Sequence, residues 1–313
     1  MKKVKVYACG GLGMNIGSSL TSDLYDVAYI DSSKSNVNQS VDSEKVTYVN
    51  GIKGTGGSGG HRVNNYKPIS EMIPSFISAN QPADLNIVVF SLSGGTGSVA
   101  GPLTVGELLR NGHPTACVVL GDPTSQKFLD NTIATLKSLE GISAARGLPV
   151  VMNYHENGPQ SWGDVDDMMR YAINAIAELG SQQNSHMDLM DVSNFFQYTK
   201  VTDAFAQLAC LDIFDTRSGA SKSIEPVAIA SLYTNRDEYK NFGDAKYSIH
   251  GFPDKPIMGG DQLHFLINHS GVAPIVTDLQ SHRDELARKY SAQKQRQSLV
   301  DRDDNVDDNG MVI

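Results

Sequence analysis

The first half of the chain alternates short apolar runs with stretches of helical periodicity. Five runs have the length and the polar or glycine boundaries of buried strands, namely Lys3 to Cys9, Asp26 to Ile30, Leu85 to Phe90, Thr115 to Leu120 and Leu148 to Met152. Between them the periodicity predicts helices, among them Asn15 to Leu24, Val99 to Leu109 and Asn131 to Ala145. Because strands that alternate with helices form doubly wound parallel sheets, we predict an α/β fold of this kind.

A long amphipathic segment follows this alternation. Between Asp164 and Gln183 the apolar residues recur at helical spacing, at Val165, Met168, Met169, Ala172, Ile173, Ile176 and Leu179. Three further strand-like runs come later, at Gln207 to Phe214, Glu225 to Tyr233 and Leu263 to His269. We therefore predict a long central helix that leads from a first domain to a second, smaller α/β domain.

The changes of pattern divide the chain into five parts. These are a first α/β domain over residues 1–163, the central helix and the loop after it over 164–191, the second α/β domain over 192–280, a C-terminal helix over 281–297 and an acidic tail over 298–313. Five aspartates in the tail oppose one arginine, whereas the helix before it is mainly basic. The tail either keeps the protein soluble or docks on a basic groove of a neighbouring subunit and orders there.

Charge and cysteine content limit the classes of function. The net charge of the 313 residues is −9, and a general nucleic-acid surface needs clustered Lys and Arg, so we expect no direct nucleic-acid binding. The three cysteines are isolated, which is typical of reduced core thiols in a cytosol. No apolar segment approaches the roughly 18 residues that a membrane helix needs. We expect a cytoplasmic protein without membrane contact.

The turn from Ser91 to Ser98 is the most informative motif. It joins a buried strand to a helix start, and it lacks the Gly-Lys-Ser/Thr of a Walker loop. Glycines let backbone N–H groups approach phosphate oxygens, and a helix N-terminus adds positive potential. A structural turn is the alternative, but the hydroxyl groups of Thr96 and Ser98 can donate to phosphate and favour a phosphate-binding loop. The residues that we predict to bind phosphate here are Gly94, Gly95, Thr96, Gly97 and Ser98.

A second glycine-rich loop, Gly10 to Gly17, follows the first strand. A Rossmann dinucleotide site is a competing interpretation, because Asp31 ends the second strand at a suitable separation to bind a ribose. However, the Gly-x-Gly-x-x-Gly frame that starts at Gly11 places Ile16 where the third glycine belongs. Two phosphate loops favour a nucleoside triphosphate over a dinucleotide. The predicted contacts in this loop are Gly11, Leu12, Gly13 and Asn15.

The segment from Gly54 to Gly60 carries so many glycines that ordering it costs much backbone entropy. We hypothesise that it closes on a terminal phosphate, through Gly57, Ser58 and Gly59, and reports hydrolysis. A flexible surface loop is the plainer interpretation. We name the segment Gly54 to Gly60 the terminal-phosphate loop.

Three residues are candidates for binding the base. Asn153 follows a predicted strand, and its amide can pair with the polar edge of a purine. Trp162 offers an aromatic face, and Asp166, one helical turn later, could accept the two N–H groups of guanine. Adenine has no such donor pair, so this arrangement would select guanine. Taken alone, a turn Asn and an acidic helix start are ordinary structural features.

In their order along the chain, these motifs resemble those of the tubulin/FtsZ superfamily, and most closely those of the bacteriophage tubulins of the PhuZ type. The resemblance covers nearly the whole chain. It implies that the loop from Gly10 to Asn15 and the turn from Gly94 to Ser98 bind the phosphates of GTP. It also implies that Asp31 lies near a second nucleotide loop. The guanine site implied by the resemblance is formed by Asn153, Trp162 and Asp166. It also implies GTP/GDP and Mg²⁺ as cofactors, although no metal ligand is assigned.

The segment His186 to Asp191 resembles the catalytic loop of the superfamily, written Asn-x-Asp-x-x-Asp. Its carboxylates match at Asp188 and Asp191, while His186 stands where the family has Asn. Helix capping is the structural alternative for both aspartates. A helix of roughly 20 residues at ~1.5 Å each would put them on the order of 30 Å from their own nucleotide. If they are catalytic, they must reach the nucleotide of the next subunit in a head-to-tail contact.

We therefore expect an assembly-dependent GTPase that polymerises head-to-tail into dynamic filaments. By the same resemblance, such filaments position viral DNA in the cytoplasm of an infected bacterium. A plasmid-partition or cell-division filament of the same superfamily is a close alternative. Two further alternatives are a relative that polymerises without turnover and a monomeric dinucleotide-dependent oxidoreductase that uses Asp31.

Overall fold

The apolar runs of the sequence form the centre of a large mixed sheet. The computed structural model describes residues 3–36, 41–49, 58–158, 161–181, 186–216, 219, 225–240, 243–253, 255–258 and 260–294. Within these ranges the strands are β1 Val4–Cys9, β2 Tyr25–Asp31, β3 Val46–Tyr48, β4 Leu85–Ser91, β5 Thr115–Gly121, β6 Val150–Glu156, β7 Leu208–Phe214, β8 Ala228–Tyr233, β9 Tyr247–Gly251 and β10 Gln262–Asn268.

Helices cover both faces of this sheet. They are α1 Gly10–Ser18, α2 Arg62–Ala79, α3 Gly97–Arg110, α4 Gln126–Arg146, α5 Trp162–Ser181, α6 Leu189–Phe196 and α7 Val272–Lys294. The buried residues Ile16, Ile173 and Phe195 place α1, α5 and α6 in the core on one face. On the other face, α2, α3, α4 and α7 contribute to a second core, which includes Ile69 and Leu136.

The strand order is β3-β2-β1-β4-β5-β6-β7-β10-β8-β9 among the described residues. The pairs from β3 to β7 are parallel, β10 is antiparallel to both β7 and β8, and β9 is parallel to β8. Every residue of β1 and β5 is buried, as expected for parallel strands that are covered on both faces. The prediction of an α/β fold with a doubly wound parallel sheet is confirmed.

Some element boundaries differ from the prediction. Helix α1 begins at Gly10 rather than at Asn15, because Gly10 adopts a φ of 74° and turns the chain within one residue of the strand. Strand β6 extends to Glu156, so Asn153 lies inside the strand instead of following it. The extension is set by pairing with β5, in which Val118 faces Asn153 and Gly121 faces Glu156. Helix α5 begins at Trp162, two residues earlier than predicted.

The later strands continue the same sheet. Strand β7 pairs in parallel with β6, from Val150 opposite Leu208 to Met152 opposite Cys210. Helix α7 begins well before the predicted C-terminal helix, and Leu279 joins the core that α4 also enters. The division into two domains stays a prediction, and the acidic tail over 298–313 lies outside the described residues.

Candidate nucleotide-binding site

A polar cavity of about 380 Å³ opens where β1, β2 and β4 end. In open α/β sheets, ligands bind at the carboxyl ends of the strands. Most of the lining comes from the predicted phosphate loops. The lining residues are Cys9, Gly11, Leu12, Asp31, Ser32, Ser33, Asn36, Ser58, Gly59, Ser91, Gly94, Gly95, Thr96 and Gly97.

Two helices begin at this cavity. Helix α1 starts at Gly10, directly after β1, and α3 starts at Gly97, after the turn that follows β4. The two starts touch, since a Cβ on Gly10 would lie only 2.6 Å from the backbone N of Gly97. Each N-terminus carries unpaired N–H groups and a partial positive charge. The cavity is therefore suited to a ligand with several phosphates.

The described end of the terminal-phosphate loop, Ser58 to Gly60, packs against the turn after β4. A Cβ on Gly95 would lie 2.2 Å from Ser58 Oγ and 2.8 Å from the backbone N of Gly60, so only glycine fits there. Ser58 and Gly59 accordingly line the same cavity as Gly94 and Thr96. Gly57, which was also predicted to contact phosphate, lies outside the described residues.

Asp31 is the acidic residue of the cavity lining among the described residues. Burial raises the pKa of its carboxyl above the usual value, while hydrogen bonds act in the opposite direction. Asn36 Nδ2 donates to Asp31 Oδ2 at 2.8 Å, and the backbone N of Ser32 donates to Oδ1 at 2.6 Å. A hydrogen bond of 2.5 Å between the hydroxyl groups of Ser32 and Thr96 joins the end of β2 to the turn after β4. The carboxylate is thus held in a fixed position at the cavity.

Two predicted phosphate contacts lie behind the cavity instead of lining it. Gly13 is packed against β1, since a Cβ there would lie 2.6 Å from the carbonyl carbon of Ala8. Ser98 is fully buried in α3, and its backbone O accepts a hydrogen bond from Arg62 Nη2 at 3.3 Å. In this structure both residues support the packing of the helices that begin at the cavity.

Of the predicted base-binding residues, Asp166 is hydrogen-bonded to α1, the helix whose start lines the cavity. Asn15 Nδ2 donates to Asp166 Oδ2 at 2.7 Å, which joins α1 to the first turns of α5. Trp162 is the first residue of α5, and its side chain is outside the described part of the structure. Asn15 and Asp166 are therefore brought together, although the sequence assigned one to phosphate and the other to guanine.

Asn153 is held by its neighbours on β6 and β7. Its Nδ2 donates to the backbone O of Leu211 at 2.8 Å, and its Oδ1 lies 2.6 Å from Nε2 of His155. Burial lowers the pKa of His155 to about 4, so its ring is neutral at pH 7. The Asn153 amide is thus fixed in orientation rather than free to rotate.

Asp188 and Asp191 form a capping box at the start of α6. Asp188 Oδ1 accepts from the backbone N of Met190 and of Asp191, and Asp191 Oδ2 accepts from the backbone N of Asp188 at 2.9 Å. Tyr247 Oη donates to Asp191 Oδ1 at 3.4 Å. The ring of His186 stacks on that of His250 and meets Phe252 edge-on.

Helix α6 lies at the opposite edge of the sheet from the cavity. Leu189, Met190 and Ser193 share a hollow with residues 82–84 and 113–114, which immediately precede β4 and β5. Strand β4 has seven residues, which span roughly 20 Å at ~3.3 Å each. Asp188 and Asp191 therefore lie far from the cavity of their own chain.

Several residues of the cavity were not predicted. Cys9, Ser32, Ser33 and Ser91 extend the strand ends that the sequence already marked, so their position after a buried strand was an available signal. Asn36 gives no such signal, because its contact with Asp31 depends on how the chain folds back after β2. Within the described residues, no group of three or more His, Cys, Asp or Glu could hold a metal ion. No described helix is long and apolar enough to span a membrane.

Comparison with known proteins places this geometry in a family. A family model described as phage tubulin-like protein, C-terminal domain, matches residues 187–272. The phage tubulin-like protein of Pseudomonas phage PhiPA3 is 36% identical over an alignment of 315 positions that covers 99% of this chain and 99% of that protein. Its counterpart in Pseudomonas phage phiKZ is 31% identical over an alignment of 323 positions that covers 99% of this chain and 98% of that protein.

Solved structures agree with these matches. A protofilament of TubZ from bacteriophage PhiKZ superposes with a TM-score of 0.91 at 31% identity, and the phage tubulin PhuZ with GDP with a TM-score of 0.91 at 33% identity. Both matches cover 100% of each chain. An FtsZ structure from M. jannaschii shares the fold, with a TM-score of 0.65 at 17% identity over 85% of this chain and 90% of that one. The resemblance drawn from the motifs is confirmed, and the chain belongs to the phage tubulin-like proteins of the tubulin/FtsZ superfamily.

Proposed function

We propose that this protein binds GTP in the cavity at the ends of β1, β2 and β4 and hydrolyses it when subunits assemble head-to-tail into filaments. The observation that carries the proposal is the separation of two half-sites. The phosphate-suited cavity lies at one edge of the sheet, and the loop with Asp188 and Asp191 lies near the other. Stacking two copies in the same direction would bring the half-sites together.

Phosphate binding would rest on backbone groups. The N–H groups at the starts of α1 and α3, with the hydroxyl of Thr96, would hold the phosphate oxygens. Mg²⁺ fits this donor set, because it usually takes one or two carboxylates beside substrate phosphates and keeps several waters. Asp31 is the carboxylate that would hold the ion, which would offset phosphate charge when bound. The relative PhuZ is described with GDP, which supports a guanine nucleotide.

Hydrolysis would need a water held by the neighbouring subunit. Asp191, helped by Asp188, would orient that water and accept its proton as the water oxygen attacks the terminal phosphorus. The bond between that phosphorus and the bridging oxygen would break, releasing phosphate and leaving GDP. Tyr247 contacts Asp191 and would help to hold its carboxylate.

The biological setting is also a proposal. Relatives are phage proteins, and solved structures of relatives include a protofilament and a filament. We propose that filaments of this chain position phage DNA in the cytoplasm of an infected bacterium, and that the acidic tail over 298–313 contacts a neighbouring subunit. The excess of aspartates in that tail supports a contact with a basic surface.

A second candidate is a filament protein without turnover. It is favoured by one observation, namely that Asp188 and Asp191 both accept hydrogen bonds as the capping box of α6. In that case the two carboxylates would serve helix stability alone.

One experiment separates the candidates. The protein is sedimented with GTP, GDP or NADH while phosphate release is measured in parallel. An assembly-dependent GTPase pellets with GTP and releases phosphate only above the critical concentration. Pelleting without phosphate release supports the second candidate. NADH binding by a protein that does not pellet with GTP would contradict both and favour the dinucleotide enzyme.

A further inference from the structure

The described end of the terminal-phosphate loop, Ser58 to Gly60, is held from outside by helix α4. Asn131, in the second turn of α4, points its side-chain NH₂ group at two carbonyl oxygens. Nδ2 donates to the backbone O of Gly60 at 3.1 Å and to the backbone O of Ser93 at 2.8 Å. One amide group thus joins the terminal-phosphate loop to the turn after β4, using both of its protons.

Lys127 makes a second contact from the same face of α4. It lies four residues before Asn131, which places both side chains on one side of the helix. Its Nζ donates to the backbone O of Gly59 at 2.7 Å, and a Cβ on Gly60 would lie 3.0 Å from Lys127 Cε. The two side chains therefore hold consecutive residues of the loop.

Helix α4 is a firm support for these contacts. Leu129, Ile133 and Leu136 are buried in the core beneath it. Thr135 Oγ1 lies within hydrogen-bond distance of the backbone O of Leu92, at 2.8 Å, and Ser125 caps the helix start by accepting from Phe128 N. Helix α4 thus fixes the position of the loop relative to the sheet.

We propose that Asn131 and Lys127 are positioning residues that allow the cavity to distinguish a nucleoside triphosphate from a diphosphate. The inference rests on the proposed function. Ser58 and Gly59 line the cavity beside Gly94 and Gly95, so these two residues can contact the added phosphate only while the loop is held. Without Asn131 the loop must be ordered by the nucleotide itself, and that entropy cost weakens triphosphate binding. A diphosphate that does not reach the loop is affected less.

The test compares affinities for GTPγS and GDP, by competition with a fluorescent GDP, at protein concentrations below assembly. For Asn131→Ala the ratio of GTPγS affinity to GDP affinity falls on the order of tenfold, the effect of losing two net hydrogen bonds. Asn131→Asp keeps the shape but loses the donors and sets a charge against two carbonyls, so the ratio falls at least as far. Lys127→Met, at an exposed position, lowers the ratio by roughly half as much on a logarithmic scale.

The matched control is Thr135→Val. Thr135 donates to the backbone O of Leu92 and of Asn131 and makes no hydrogen bond to the described loop residues Ser58 to Gly60, so this variant loses stability while keeping the affinity ratio. If Thr135→Val lowers the ratio as far as Asn131→Ala does, the effect is general loosening of α4 and the inference is wrong. The same holds if Asn131→Ala and Lys127→Met keep the wild-type ratio. If the wild-type protein binds neither nucleotide, the proposed function itself fails, which is a different result.

Discussion

Single residues at the cavity carry two kinds of constraint. Gly10 and Gly95 are fixed by space, because a side chain at either would strike the backbone of a neighbouring loop. Asp31 is fixed by hydrogen bonds that hold a buried carboxylate at the wall of the cavity. The steric constraint at Gly10 and Gly95 belongs to the fold itself. The carboxylate of Asp31, in contrast, would act chemically only on a bound ligand. Substitutions at the two kinds of residue should therefore fail differently.

Gly95→Ala tests the constraint of space. The new methyl group would meet Ser58 Oγ and the backbone of Gly60, so we expect the subunit to lose about 1–3 kcal/mol of stability and most of its nucleotide affinity. Chemical denaturation and GDP titration measure the two effects. Gly141→Ala is the matched control, because nothing lies within 4 Å of its Cβ position in α4, and it should leave both unchanged or raise stability slightly. A tolerated Gly95→Ala would mean that the two loops do not touch in solution.

Asp191→Asn tests the proposed catalytic role. The amide oxygen can still accept the hydrogen bond from the Asp188 backbone N, so α6 keeps its cap, but the base is lost. We expect phosphate release to fall on the order of 100-fold or more, while GTP binding and assembly remain and filaments persist longer. Asp191→Ala should give the same loss of turnover with some added instability. Full phosphate release by the Asp191→Asn filament would assign Asp191 to capping alone.

The elements of the fold follow from the sequence better than their ends do. Periodicity and apolar runs identify α3, α4 and the central strands, since burial on both faces leaves a continuous apolar signal. The ends of the strands depend on the neighbouring strands with which they pair. Strand β6 continues through the polar residues Asn153 and His155 because β5 lies beside it, and no local pattern records that pairing.

The same limit applies to the candidate site. Glycines and hydroxyl residues after a strand marked most of the cavity lining, because their chemistry is local. Asn36 and Asn131 were missed, since Asn131 reaches Gly60 across 71 positions of sequence. An isolated Asn in a helix has no pattern that distinguishes it from a surface residue. The residues that hold the loops are therefore visible only in the folded chain.

At the level of an element, substitutions of Asp188 should distinguish its contribution to the capping of α6 from its contribution to GTP hydrolysis. Asp188→Ala removes the N-cap of α6, and we expect the subunit to lose about 1 kcal/mol of unfolding free energy. Asp188→Ser retains a capping oxygen without the charge, so stability should stay near the wild-type value while phosphate release slows. Thermal or urea unfolding of the GDP-bound subunit and a phosphate assay give the two values. If the serine variant hydrolyses GTP at the wild-type rate, Asp188 serves only the helix.

The molecule as a whole presents different chemistry at its two edges. The strand ends with glycine loops and helix N-termini form one edge, and α6 with the hollow beside β4 and β5 lies near the other. A dimer that paired like edges would leave the carboxylates of each subunit away from the cavity of the other. Under the proposed function a head-to-tail arrangement brings Asp191 to the nucleotide of a neighbouring subunit, so hydrolysis and polymer growth share one contact.

Removal of residues 301–313 tests whether the tail strengthens that assembly. The removed segment carries five aspartates and one arginine, so a contact with basic side chains of a neighbour would be electrostatic and screened by salt. We expect the truncated protein to need a higher concentration to pellet with GTP, and its assembly to depend less on salt than that of the full chain. A variant with the five aspartates changed to asparagine keeps the length and should behave like the truncation. An unchanged critical concentration at every salt concentration, for both variants, would show that the tail only keeps the protein soluble.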